Sequence, residues 1–205
     1  MRAGARGTRN VGLIVSGVLG IDPGIRGGIA IVSDADDGRS VLCDAIDIPT
    51  IGSGAPERVD VAAVRDFILR HRPTLALIER AQAMPKQGAS SGFKYGRATG
   101  ALEAVIVLCG LPIEIVEPSA WKRHWHLPGK DKERARQRAL ELFPAAHALL
   151  ARKRDHGRAE AALLALYGLR NSRVIAAPPG AQPGSSSSEQ SNLEFKGISK
   201  WQIMT

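Results

Sequence analysis

Three carboxylates in this chain sit at the ends of, or inside, stretches otherwise built for burial. Asp22 closes the short apolar run Val18-Leu19-Gly20-Ile21, and Glu79 closes Leu75-Ala76-Leu77-Ile78. Glu160 lies inside Ala159-Glu160-Ala161-Ala162-Leu163-Leu164-Ala165-Leu166. Short apolar runs bounded by turn residues read as strands at the centre of a sheet, and the longer run reads as a buried helix. A lone carboxylate in such a place is strongly disfavoured unless it is neutralised or paired. Divalent cations are the usual partner of several carboxylates together. Each acid also has a local explanation: Asp22 as a turn residue before Pro23-Gly24, Glu79 in a surface ion pair with Arg80, and Glu160 paired with Arg158 or Arg154. Taken together, the three make a metal-dependent enzyme the expectation.

The rest of the chain supplies the frame. Residues 18–21, 29–32 and 41–48 read as strands, joined by turns at Pro23–Gly28 and Asp34–Arg39, so an antiparallel meander is expected. Thr50–Pro56 is a Gly/Ser/Pro loop. Asp60 caps a helix whose Val61, Val64, Phe67 and Ile68 fall at helical spacing. Leu75–Ile78 is a strand, Lys86–Gly92 a polar loop, Tyr95–Cys109 a helix stopped by Gly110, and Ile113–Val116 a further strand. After Pro118 come a short helix at Trp121–Trp125, a second capped by Asp131 and ending before Pro144, and a third from Asp155 or His156 to Leu169. Three meandering strands followed by alternating helices and strands indicate an α/β layered fold. The 205 residues suffice for one well-cored domain. It spans 17–172, after an N-terminal extension over 1–16. From Pro178 on, Pro-Gly pairs and a run of four serines cannot build a core, so 173–205 reads as a disordered tail.

The net charge of +8 is unevenly spread. Between Trp121 and Arg158 stand eleven Lys or Arg against four acids, which accounts for nearly all of it. A localised excess points to a polyanionic partner, nucleic acid above all, against the plainer reading of a solvated basic face. Cys43 and Cys109 are widely separated in apolar runs. They form neither a zinc motif nor a disulfide framework and suit a reducing, cytosol-like compartment. No apolar run reaches membrane-spanning length.

The motifs now carry a resemblance. The element order is similar to the ribonuclease H-like fold. Gly20-Ile21-Asp22-Pro23-Gly24 with Gly27-Gly28 resembles the first motif of RuvC-type Holliday junction resolvases. Ile78-Glu79 followed by a Gly/Ser loop and a Gly-containing helix resembles their second. Arg154-Asp155-His156-Gly157-Arg158-Ala159-Glu160-Ala161 resembles the last motif as written in the plastid branch, the monokaryotic chloroplast resolvases. The resemblance runs from about Gly17 to Leu169. It implies a mixed five-stranded sheet flanked by helices, with Asp22, Glu79, Asp155 and Glu160 as catalytic metal ligands and His156 as a further candidate. In the usual bacterial pattern two acids stand three residues apart, and Gly157 occupies the first of those positions here. The fourth ligand is therefore either Asp155 or His156.

Carboxylates gathered at one point can hold two Mg²⁺ (or Mn²⁺) ions roughly 4 Å apart. One activates a water and the other stabilises the leaving 3′ oxygen, giving 5′-phosphate and 3′-hydroxyl ends. The resemblance further implies a four-way DNA junction as substrate, paired symmetric nicks and a homodimer, with the helix at Tyr95–Cys109 as its contact. The same reading allows a bacterial, phage or organellar protein. Candidate DNA contacts are Lys86, Ser90, Phe93 and Lys94 near the second motif. Lys122, Arg123, Lys130, Lys132, Arg134, Arg152, Lys153 and Arg154 complete them along the basic stretch. Phe93 or Met84 can wedge against unstacked bases, Phe93 can equally serve the core, and Trp121 and Trp125 read first as core. A non-catalytic nucleic-acid binder on the same fold is the alternative. An actin-like ATPase or kinase fragment shares the opening hairpin but needs a second phosphate loop and a longer chain.

Overall fold

The computed structural model describes residues 17–52, 57–81, 88–127 and 132–172. Strands β1 (Val18–Asp22), β2 (Gly28–Asp34) and β3 (Ser40–Asp47) form the expected antiparallel meander. A two-residue ribbon follows, β4 (Thr50–Ile51) against β5 (Arg58–Val59). Thr50 and Ile51 are thus strand rather than loop, because a ladder this short leaves no alternation for a sequence pattern to reveal. Then come α1 (Val61–His71), β6 (Leu75–Glu79), α2 (Ala89–Leu108), β7 (Ile113–Val116), α3 (Pro118–His124) and α4 (Lys132–Leu142). A 3-10 turn (Pro144–Ala146), α5 (His147–Leu150), a second 3-10 turn (Lys153–Asp155) and α6 (His156–Asn171) complete the chain. Asp60 caps α1 as expected, its carboxylate accepting from the Ala62 and Ala63 N–H groups at 3.1 Å. Lys86, Lys130, Met84, Asp131 and both termini lie outside the described residues.

The five long strands form one mixed sheet in the order β3-β2-β1-β6-β7, with β6 parallel to β1 and β7 parallel to β6. Alternation along the strands divides the core in two. Leu19, Ile21, Ile29, Ile31, Ala76 and Ile78 face α1 and α2. Val18, Ala30, Val32, Leu75 and Leu77 face α3–α6. The result is a three-layered α/β/α arrangement, the ribonuclease H-like fold.

Helix α6 explains why its sequence is apolar all round. It lies between the sheet and α4, with every residue from Ala159 to Leu166 buried. Its backbone comes unusually close to the sheet. A methyl group added at Gly20 would overlap the Ala161 carbonyl oxygen, and one at Gly28 would stand 2.6 Å from the Arg158 nitrogen. One added at Gly157 would stand 2.6 Å from the Gly27 carbonyl carbon. Glycines on both sides of the crossing therefore let the first turns of α6 rest directly on β1 and β2. The motif positions of these glycines are a packing requirement.

Candidate active site

The register of the sheet places the first two carboxylates side by side. In the parallel pair β1 and β6, Gly20 lies opposite Leu77 and Ile21 opposite Ile78. Asp22 and Glu79 are the next residues on each strand. By alternation both follow Val18 and Leu75 onto the face covered by α6. The close crossing at Gly20 brings α6 over the same strand ends, and Glu160, one residue before Ala161, is 8% exposed there. The pocket is thus built from two strand termini and one helix.

Asp22 feels both other acids, and Glu79 feels Glu160. Burial, then Glu160, then Glu79 push the Asp22 carboxyl up to about 7, while Lys132 and Lys122 pull it down. Burial also raises Glu79, opposed by Lys122 and by a hydrogen bond from Trp121. The Lys122 ammonium lies between the other two acids, 3.7 Å from Glu79 Oε2 and 3.8 Å from Glu160 Oε1. Trp121 Nε1 donates to the same Glu79 Oε2 at 2.8 Å.

Three participants were not foreseen in these roles. Trp121 is core, 1% exposed as read from its spacing, but its indole N–H also fixes Glu79. Lys132 acts on Asp22 from the start of α4. Tyr95, on the opposite helical layer, is half-buried. Its hydroxyl is pushed further above its usual range by burial, Asp22, Glu79 and Glu160, in that order. Its ring lies 3.9 Å from where a Cβ would stand on Gly24. The signal was available for Tyr95, which opens the helix as read from sequence. Only the turn at Pro23–Gly28, folding toward that helix, makes it part of the pocket.

Asp155 is not brought into this pocket. It is fully buried and committed elsewhere: Arg152 Nη2 and Nε donate to its Oδ1 at 2.7 and 2.9 Å, and the Arg152 backbone N–H donates to Oδ2 at 2.7 Å. Burial pushes its carboxyl up. The Arg152 side chain and backbone, with Arg158, more than offset this and hold it below the usual range. Nor does its side chain cap α6; it closes the preceding 3-10 turn instead. Arg158 in turn makes a two-pronged pair with Asp47 on β3 at 2.7 and 2.9 Å. As placed by these bonds, Asp155 anchors the first turn of α6. His156, the first residue of α6, is partly exposed, and its side chain has no hydrogen-bond or ion-pair partner among the described residues.

The candidate DNA contacts differ in exposure and in their partners. Ser90, Phe93, Lys94, Arg123, Lys132, Arg134, Lys153 and Arg154 are exposed. Phe93 is 70% exposed, which removes it from the core. Arg152 is engaged with Asp155, and Lys122 with the pocket acids. Helix α2 starts at Ala89, so Ser90 and Lys94 sit on its first two turns rather than in a loop.

The donor set suits a hard divalent cation: three carboxylates, two of them held above their usual protonation range by burial and mutual repulsion. Among the described residues, no three such side chains stand close enough to chelate one ion as placed. A cation already lies between two of them, the Lys122 ammonium.

No family model matches the chain, and no curated protein matches it. Among solved structures it is similar to RuvC from Thermus thermophilus, with a TM-score of 0.55 and 20% identity over 75% of this chain and 95% of that one. It is also similar to T. thermophilus RuvC in complex with a Holliday junction substrate, with a TM-score of 0.54 and 22% identity over 73% and 90%. At these identities the likeness establishes the fold.

Proposed function

We propose that this chain is a structure-selective endonuclease that resolves four-way DNA junctions by paired nicks. One observation supports the reading: Asp22 and Glu79 end neighbouring parallel strands, Glu160 lies on the helix crossing them, and both glutamates raise the Asp22 carboxyl, on a fold shared with RuvC. A protein that only bound DNA gains nothing from buried acids facing phosphate. The last-motif residues, Arg154 to Ala161, resemble that motif as written in the plastid branch.

Asp22, Glu79 and Glu160 are the residues that hold Mg²⁺ or Mn²⁺. When bound, the ions supply a nucleophilic hydroxide and stabilise the leaving 3′ oxygen. The protein's own part is positional. Trp121 locks one Glu79 oxygen, and the Gly20–Ala161 crossing fixes the height of Glu160. Lys132, exposed beside Asp22, neutralises an incoming phosphate. Ser90 and Lys94 on the first turns of α2, and Arg123, Arg134, Lys153 and Arg154 on the basic elements, hold the flanking backbone. Phe93 wedges at the branch point.

Two cuts in one symmetric substrate call for two copies. On α2, Phe93, Gly96, Gly100, Ala104 and Val107 share the solvent face, with Val107 61% and Leu108 86% exposed. Among the described residues nothing covers Gly96 or Gly100, and this face is where the homodimer forms.

The deciding assay offers four-way, three-way, flap and linear DNA with and without Mg²⁺. Symmetric nicks confined to the four-way substrate and dependent on the ion are expected. Asp22→Asn keeps junction binding and loses cleavage. Junction binding with no cleavage under any divalent ion would leave the non-catalytic reading in its place.

A further inference from the structure

The Lys122 ammonium occupies the space between Glu79 and Glu160, and three features hold it there. It approaches both carboxylates at 3.7 and 3.8 Å. It stacks over the neighbouring Trp121 ring, 4.9 Å from the centroid. Trp121 pins the very Glu79 oxygen that Lys122 faces. The side chain is only 25% exposed, so the charge is not a solvated bystander. Among the described residues, no other cation bridges two of the three acids. Like charges in a shielded pocket repel strongly, so an ammonium and a divalent ion cannot both lie between the same two carboxylates.

Resting on the metal-dependent reading above, we propose that Lys122 is a built-in counter-ion that holds Glu79 and Glu160 together in the ion-free protein and competes with the divalent cation for the gap between them. Loading then displaces the ammonium, which is left at the pocket rim with its charge available to phosphate. Binding of the ion alone is weak by design, because each ion must expel Lys122. Binding of ion and DNA together is favoured, because the DNA backbone accepts the displaced charge. The coupling is reciprocal, as any linkage between two ligands must be.

The test needs no cleavage. Mn²⁺ binding to the full chain without DNA is followed by calorimetry, and the melting temperature is recorded with and without the ion. Lys122→Met and Lys122→Gln are compared with the unchanged chain, with Glu79→Gln as the control for binding at this pocket. Either uncharged variant is expected to bind Mn²⁺ at least about tenfold more tightly, to melt lower without the ion, and to gain more from it. Lys122→Arg, which keeps the charge, is expected to stay weak. If Lys122→Met does not fold, Lys122→Gln carries the comparison, since its amide can still donate to Glu79. Equal or weaker Mn²⁺ binding by the uncharged variants overturns the counter-ion role while leaving the metal site standing. Absence of Glu79-dependent binding in every variant overturns both.

Discussion

At the scale of single residues, burial and charge work against each other in the pocket, and the balance is open to measurement. Asp22 titrates near 3.8 when unfolded and near 7 in the folded chain. Between those values the folded protein keeps a proton the unfolded chain has lost, so its contribution to stability is full below about pH 4 and is lost as the pH rises through about 7. The ion-free melting temperature is expected to fall over that interval and to flatten in Asp22→Asn. Saturating Mg²⁺ is expected to restore it at the alkaline end. Glu79 shifts in the same direction and adds to the slope. Asp155, held low by Arg152 and Arg158, runs the other way and costs stability as the pH falls. A melting curve that rises through neutrality would show that Asp22 is ionised at little cost. Trp121→Phe probes alignment alone. It keeps the ring in the core and removes one hydrogen bond to a charged oxygen, worth about 1.5 kcal/mol, or about tenfold in cleavage rate with junction affinity unchanged.

At the scale of elements, α6 does two jobs that one sequence motif had merged. Its first turn is anchored by Asp155–Arg152 and Arg158–Asp47, and only its second turn carries a pocket acid. Asp155→Asn is therefore expected to lower the unfolding free energy by about 2 kcal/mol in chemical denaturation, without changing divalent affinity. A ligand role would show the reverse. Gly28→Ala tests the close crossing. Backbone lies in the way, so a cost of about 3 kcal/mol is expected in chemical denaturation. The strands that end in Asp22 and Glu79, and the buried helix that carries Glu160, were legible because acids set in apolar runs leave a mark in the sequence. The bond between Asp155 and Arg152 was not, because Arg152 lies outside the motif and the bond depends on a 3-10 turn. The start of α2 was missed by six residues. Ser90, Ser91 and Gly92 have poor helix propensity, and the packing of the later turns overrides it.

At the scale of the whole molecule, the proposed binding to DNA and to a second copy rests on the charge distribution and the open face of α2. Lys153 and Arg154 are exposed beside the anchor of α6. Replacing both with Ala is expected to make the dependence of log affinity on log salt shallower by about 2, with base preference untouched. The proposed dimer contact on α2 can be tested for copy number. No described residue lies within 4 Å of a Cβ on Gly100, so a larger side chain there meets none of them. Gly100→Glu is therefore expected to fold with an unchanged melting temperature while setting two like charges against each other across the two-fold contact. Sedimentation of the junction complex should then show one copy where the unchanged protein shows two. Cleavage should change in kind as well as in rate, since a lone copy nicks one strand and leaves the opposed strand to a second encounter. Single nicks should accumulate first and resolved duplexes follow late. Two copies on the junction despite the added charge would place the dimer contact elsewhere on the molecule and return Phe93 and Val107 to the DNA.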